Sequence, residues 1–386
     1  MADVTGILLK LIRSELTGEE VGAAEFADFN DEDWESLYSV SKSHDIAHLV
    51  GNALIKRKLI PDGKTKDGFQ KQYVTAVYRY QHIKYELEQI RQILRISGIP
   101  FIPLKGAVIR EMYPEPWMRT SCDIDILIRE EDIPKAAEAL KNGGYTMGKR
   151  NSHDVAFTSD ANVHLELHFD LLEEGRIGKA EMPLKSVWEY AKQVEGTSEY
   201  VLYDEMFYYY HVVHMAKHLK NGGCGIRPFV DLWILGRIPE RDTAGRNVLL
   251  NYGGVDKFAK EANEIVGKWF EGKEASPLAL QLEDYVLRGG VYGTYSNLMT
   301  VKKSEQKSKA VYLRKRIWLR YEDLSVQYPN LKGKRVLQPY YEACRWTRLL
   351  NKKKNKRARA EMKAYSSVTD EQTSQMNDML QKLGLN

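Results

Sequence analysis

Cysteine is scarce in this sequence: the 386 residues contain 3, namely Cys122, Cys224 and Cys344. They are far apart, odd in number and without a Cys-x-x-Cys pair, which excludes a disulfide framework and a zinc knuckle. Long apolar runs are missing too. No stretch approaches about 18 uncharged apolar residues, so no membrane span is expected. The opening segment places Lys10, Arg13 and Glu15 within its apolar stretch and shows no small-residue cleavage pattern, so it reads as an amphipathic helix rather than a secretory signal. Charge of one sign is also lacking, with 57 Lys and Arg against 53 Asp and Glu, a net charge of +4. That balance implies neither a nucleic-acid nor a membrane partner without a local patch. The expectation is a cytoplasmic protein in a reducing setting.

What is present is length and apolar content. At 43% hydrophobic residues, the chain has enough for two or three packed units. Over 1–96, apolar residues recur three and four apart, as at Ile7, Leu8, Leu11 and Ile12 and again at Leu87, Ile90 and Leu94. This spacing predicts an N-terminal helical domain, with its strong break at Ile60-Pro61-Asp62-Gly63. The character changes at Ser97-Gly98-Ile99-Pro100. A short strand over 101–104, a helix-like segment over 107–112, a strand ending at Ile128, a helix over 134–142 closed by Gly143-Gly144, and a hairpin-like pair over 154–158 and 163–169 follow. The span 97–200 is thus a small α+β unit, and 201–386 returns to helix. One segment is biased in composition, the basic run 345–363.

Within the α+β unit, Asp123-Ile124-Asp125-Ile126-Leu127-Ile128 is an apolar strand interrupted by two aspartates. Side chains alternate along a strand, so Asp123 and Asp125 share one face and the isoleucines the other. Paired carboxylates repel each other, and a divalent cation relieves that repulsion; the alternative is an exposed polar strand face. The later strand Val163-His164-Leu165-Glu166-Leu167-His168-Phe169 puts His164, Glu166 and His168 on one face and supplies a third carboxylate. Asp123, Asp125 and Glu166 together suit a two-metal platform for phosphoryl or nucleotidyl transfer, with Glu166 placed to accept a hydroxyl proton. Asp170 lies where the strand pattern ends and is a weaker candidate.

Upstream, Lys105-Gly106 follows a strand and opens a helix, where backbone N–H groups favour a phosphate; it is equally an ordinary strand-to-helix turn. Arg119, four residues before Asp123, is placed either to bind a phosphate or to pair with an aspartate.

The order of these pieces resembles the nucleotidyltransferase superfamily. More closely, Pro103-Leu104-Lys105-Gly106, the stretch from Arg119 through Asp123 and Asp125 to Ile128, Ala139-Leu140 with Gly144-Tyr145, and Glu166-Leu167-His168 are similar to the bacterial uncharacterised nucleotidyltransferase family. Ser43-His44-Asp45-Ile46-Ala47-His48, and His211 with His214 followed by Asp231, fit it as well. The resemblance implies a polymerase-β-like palm flanked by helical domains. It implies Asp123, Asp125 and Glu166 as ligands of magnesium or manganese, a nucleoside triphosphate such as ATP as substrate, and an acceptor hydroxyl on a small molecule, a protein or RNA. Lys105, Gly106, Arg119, His168 and His214 are the residues expected around the nucleotide. The superfamily's usual Gly-Ser or Gly-Gly turn is here Lys105-Gly106, without the hydroxyl that meets the triphosphate. A non-catalytic nucleotide-binding or interaction module with the same fold is the rival reading.

His211, His214 and His218 fall on one face of a helix, but no His-Glu-x-x-His pattern accompanies them, so packing against the palm near the nucleotide is the expectation. Gly222-Gly223-Cys224-Gly225 reads as a connecting loop, since no Gly-Lys-Ser/Thr follows it. Cys122 reads as a packing residue, discouraged from forming a thiolate by Asp123. The basic run reads as a solvated helix end, with nucleic acid as its alternative partner.

Overall fold

The computed structural model describes residues 3–171, 177–290, 295–304, 318–349 and 367–385. Most of the basic run 345–363 lies outside the described residues. Four helices open the chain: α1 (Val4–Thr17), α2 (Asp31–Ser43), α3 (Ala47–Lys56) and α4 (Lys64–Ile96). Each has a local cause. α1 buries Leu8, Leu11 and Ile12 and stops at Gly18, whose left-handed φ of 77° lets its N–H reach Ser14 O. α2 starts with a capping box between Asn30 and Asp33. The expected break before α4 is present, and the structure adds breaks at 18–30 and at His44-Asp45-Ile46. Asp45 takes φ 53° there, a conformation that short polar side chains tolerate and that helical periodicity does not announce.

α4 serves two cores. Its Phe69 packs on α3 at Gly51, where an added Cβ would stand 2.8 Å from Phe69 Cβ. Further along, Ile83, Leu87, Ile90 and Leu94 cover one face of a sheet.

That sheet is mixed, with strands β1 (Phe101–Pro103), β2 (Asp123–Ile128), β3 (Thr146–Arg150), β4 (Asp154–Thr158) and β5 (His164–His168) in the order β1-β2-β5-β4-β3. The β2–β5 pair is parallel and the others are antiparallel. Helices α5 (Gly106–Ile109) and α6 (Ile133–Asn142) connect the strands, and the expected hairpin is the β4–β5 pair. Strand β3 escapes sequence reading because Thr146-Met147-Gly148-Lys149-Arg150 is exposed throughout and carries no apolar alternation. It is an edge strand held by backbone pairing. After α7 (Met182–Lys185) come β6 (Ala191–Gln193) and β7 (Tyr200–Leu202), a small ladder joined to β1 by a bridge between Phe101 and Glu199. Glu199 is buried and held by Arg91 and Arg95 of α4 at 3.2 and 2.6 Å.

Among the described residues, the helices that follow are α8 (Asp204–Lys220), α9 (Arg227–Gly236), α10 (Thr243–Gly253), α11 (Asp256–Glu271), α12 (Pro277–Gly289), α13 (Tyr295–Ser304), α14 (Tyr321–Gln327), α15 (Gln338–Leu349) and α16 (Asp370–Lys382). Leu8, Val50 and Leu54 of the first helices, Leu104 and Leu127 beside the sheet, and Val212, Leu232 and Phe258 of the later helices belong to one apolar cluster. The helices before and after the sheet therefore share a core. The molecule is α+β, and no described helix is long and apolar enough to cross a membrane.

Candidate metal and nucleotide site

β2 is amphipathic with a period of two. Ile124, Ile126 and Ile128 enter the core beneath α4 and α6, which turns Asp123 and Asp125 to the opposite face. The parallel register sets Asp123 against His164 and Asp125 against Glu166. Donor atoms of Asp125, Glu166 and His168 lie within 4.8 Å of one another. His168 Nε2 is 2.8 Å from Asp125 Oδ1 and 3.4 Å from Glu166 Oε2. Asp125 and His168 are buried, whereas Glu166 remains partly open to solvent.

Lys105 arrives from the neighbouring strand. β1 pairs with β2, Leu104 N donates to Asp125 O at 3.0 Å, and Lys105 then takes φ 42°. A left-handed lysine costs about 1–3 kcal/mol, which the surroundings must over-determine. The turn leaves Lys105 Nζ 3.3 Å from Asp125 Oδ1 and 5.9 Å from the centre of the Tyr210 ring on α8.

These contacts separate the two aspartates electrostatically. Burial would raise the Asp125 pKa, but Lys105 and the His168 hydrogen bond outweigh it and hold the carboxyl well below the usual range. Asp123 moves the other way, raised first by burial and then by the charge on Asp125. Glu166 is lowered chiefly by its hydrogen bond to His168. Burial also opposes charge on Lys105 and His168, yet the carboxylates beside them raise both. The surroundings thus favour the carboxylate form of Asp125 and disfavour that of Asp123.

A second polar network braces the loop that leads into β2. Arg119 Nε lies 2.8 and 3.0 Å from the two Asp231 oxygens, and Tyr113 OH donates to Asp231 Oδ1 at 2.6 Å. Thr120 Oγ1 donates to Asp45 Oδ2 at 3.0 Å, and Arg227 reaches the same oxygen at 2.6 Å. His48 Nε2 is 2.8 Å from Met118 O. The strand is therefore tied at its entrance to the α2–α3 turn and to α9.

A family model described as uncharacterised nucleotidyltransferase matches residues 30–271. The chain belongs to the uncharacterised nucleotidyltransferase family. The match begins at the Asn30 cap of α2 and ends with α11, so it encloses both polar networks. No curated protein and no solved structure matches the chain.

With the family in hand, the residues singled out in the sequence sort by position. Asp125, Glu166 and His168 converge. Asp123 shares their face and feels Asp125 and Glu166, but it is not part of the compact donor cluster. His168, expected beside the nucleotide, bonds the acids. Arg119 pairs with Asp231, since a buried arginine needs a carboxylate close by. Lys105-Gly106 forms a tight turn between β1 and α5. α5 is a single turn, the Lys105 ammonium is turned to Asp125, and a Cβ on Gly106 would stand 3.3 Å from Ser121 Cβ and Arg110 Nη2. The glycine serves close packing against the loop before β2. His214 faces His218, with Nε2 atoms 3.2 Å apart. Asp170 lies beyond the end of β5 and is exposed. Cys122 is also exposed, 3.5 Å from Arg79, so its expected packing role is not met.

The roles of Asp45 and Asp231 as anchors of the loop escape sequence reasoning. Both stand in motifs that fit the family, but pairing between elements far apart in the chain leaves no local pattern.

Proposed function

We propose that this protein is a divalent-metal-dependent nucleotidyltransferase. It would transfer a nucleoside monophosphate from a nucleoside triphosphate, ATP among the candidates, to an acceptor hydroxyl with release of pyrophosphate. The observation that carries the reading is the convergence of Asp125, Glu166 and His168 donors within 4.8 Å across the parallel β2–β5 pair. The carboxylates of Asp125 and Glu166 suit magnesium or manganese, which take oxygen ligands, and Asp123 stands on the same face beside them. Asp125 and Glu166, with Asp123 alongside, would hold a magnesium or manganese ion, which would supply charge neutralisation for the triphosphate.

The chain's own residues do the rest. The α+β unit over 97–200 acts as the palm, between the helices over 1–96 and 201–386. His168 fixes the orientation of Asp125 and Glu166 through one nitrogen. Glu166, partly open to solvent, accepts the proton of the acceptor hydroxyl as its oxygen bonds the α-phosphorus and the bond to pyrophosphate breaks. Lys105, charged beside Asp125, helps hold the leaving phosphates. The acceptor is a hydroxyl on a small molecule, a protein or RNA.

Incubation of each labelled nucleoside triphosphate with magnesium or manganese and cell extract tests the reading. Pyrophosphate release and label transfer, both lost in Asp125→Ala, support it. One observation favours the rival reading of a non-catalytic nucleotide-binding module: Lys105 already neutralises Asp125 without a metal. That reading predicts nucleotide binding that survives Asp125→Ala and no pyrophosphate with any acceptor.

A further inference from the structure

The seven tryptophans divide by place. Trp34, Trp233 and Trp269 are buried, and Trp117 and Trp188 are half-buried against the large apolar core. Trp318 and Trp346 are instead 49% and 43% exposed. Both belong to 318–349, which has a small core of its own: Leu324, Tyr328 and Leu331 are buried, with Tyr341 and Cys344 of α15 packed on them. Glu342 fastens the segment before α14 to α15, accepting from Leu319 N at 2.6 Å and from Arg345 Nε at 2.7 Å. Trp318 is thereby brought beside α15.

The outer side of α15 is uncharged where a solvated helix carries charge. Among the described side chains of this helix, the exposed ones are Pro339, Tyr340, Ala343, Trp346 and Thr347. A 3-10 turn, Arg335–Leu337, runs straight into the helix and adds Val336, 90% exposed, and Leu337. Val336, Tyr340, Ala343 and Trp346 follow at steps of four, three and three, the spacing of one helix stripe. Cations border it. Between Tyr328 and Arg348 the sequence holds five, of which Lys332, Lys334 and Arg335 stand in the exposed turn before the helix, against one acid, the buried Glu342.

An occupant of this row must welcome apolar side chains and carry negative charge. Single-stranded RNA meets only the second condition, because its bases stack on aromatic rings with cations between them, whereas Val336 and Ala343 present no ring and the turn gathers its cations at one end. A bilayer surface with anionic lipids meets both. Its hydrocarbon takes aliphatic side chains, Trp and Tyr settle at the level of the headgroups, and the phosphates meet Lys and Arg. We propose that the row from Val336 to Trp346, with Lys332 and Lys334 beside it, is a docking surface for an anionic lipid bilayer, on which α15 lies without crossing. The proposal is independent of the nucleotide chemistry at the acids.

The test uses the full chain and vesicles of phosphatidylcholine, alone or mixed in equal parts with phosphatidylglycerol. Co-sedimentation with the mixed vesicles and a blue shift of tryptophan emission are expected, with neither on phosphatidylcholine alone. Lys332→Glu/Lys334→Glu is expected to weaken partitioning by about tenfold or more, since each cation at such a surface contributes roughly fivefold. Val336→Ser/Tyr340→Ser, which leaves every charge in place, is expected to weaken it by about tenfold. All four side chains are exposed, so the fold should survive either change. No binding to the mixed vesicles overturns the proposal, and so does binding that Val336→Ser/Tyr340→Ser leaves unchanged, which would reduce it to charge attraction. Binding of oligouridylate without vesicle binding would assign the row to RNA. A dimer in light scattering that Val336→Ser/Tyr340→Ser dissolves would assign it to a second copy of the chain, and either result overturns the bilayer surface.

Discussion

Asp125 and Glu166 are register partners on adjacent parallel strands, and His168 Nε2 touches both, at 2.8 and 3.4 Å. A parallel pair places strand residues side by side on one face, so two acids far apart in the sequence become neighbours without any loop having to hold them. This rigidity is what a metal site built on a scaffold requires.

Lys105 competes with any cation for Asp125, since its Nζ is 3.3 Å from Oδ1. Lys105→Met is expected to tighten manganese binding several-fold and to weaken nucleoside triphosphate binding, by about tenfold for one lost charge-assisted contact. Electron paramagnetic resonance and nucleotide titration on the same sample check both. If manganese affinity falls along with nucleotide affinity, the lysine supports the metal site rather than competing with it.

The Arg119–Asp231 pair is buried, and removing one partner strands the other. Asp231→Ala is expected to cost about 3–5 kcal/mol of stability, while Arg119→Met/Asp231→Leu recovers most of it. Thermal melts of both variants decide. Nucleotide affinity retained by the double variant separates the bracing role of Arg119 from direct phosphate contact.

His48 makes the fold sensitive to acid. Burial lowers its pKa from 6.5 to about 4, outweighing the Met118 carbonyl. Between those values the unfolded chain binds a proton that the folded one refuses, so stability is complete above pH 6.5 and falls as pH drops toward 4. The full swing is about 3 kcal/mol. His48→Gln keeps a donor for Met118 O and should lessen the fall in melting temperature between pH 7.5 and 5, a range of roughly that of ordinary histidine titration, with His44, His211, His214 and His218 contributing the rest. An unchanged slope would assign the acid sensitivity to other groups.

Two glycines should respond in opposite directions. A Cβ at Gly51 would meet Phe69 Cβ at 2.8 Å, close to the backbone and unable to move aside, so Gly51→Ala should cost about 1–3 kcal/mol. At Gly236, near the end of α9, nothing lies within 4 Å, and Gly236→Ala should stabilise by about 0.4–1 kcal/mol. Chemical denaturation of the two variants side by side measures the contrast.

Much of the five-stranded sheet is legible in the sequence alone. Alternation places Asp123 and Asp125 on one face and Glu166 and His168 on one face, and turn residues mark the β4–β5 hairpin. Strand β3 is illegible because it is exposed and unpatterned, and β6 and β7 are too short to show a period. Periodicity also runs past Asp45, where a left-handed aspartate interrupts the helices and becomes an anchor for Thr120 and Arg227.

The sequence by itself determined which residues share a strand or helix face, because that follows from backbone periods of 2 and 3.6 that every side chain obeys. It likewise excluded disulfides and long apolar spans by composition. Only the tertiary structure decided partners: that Asp125 meets Glu166, that Lys105 turns to Asp125, and that Arg119 pairs with Asp231. Those choices depend on strand register, helix docking and the need of buried charge for a close counter-charge, none of which is written in local spacing.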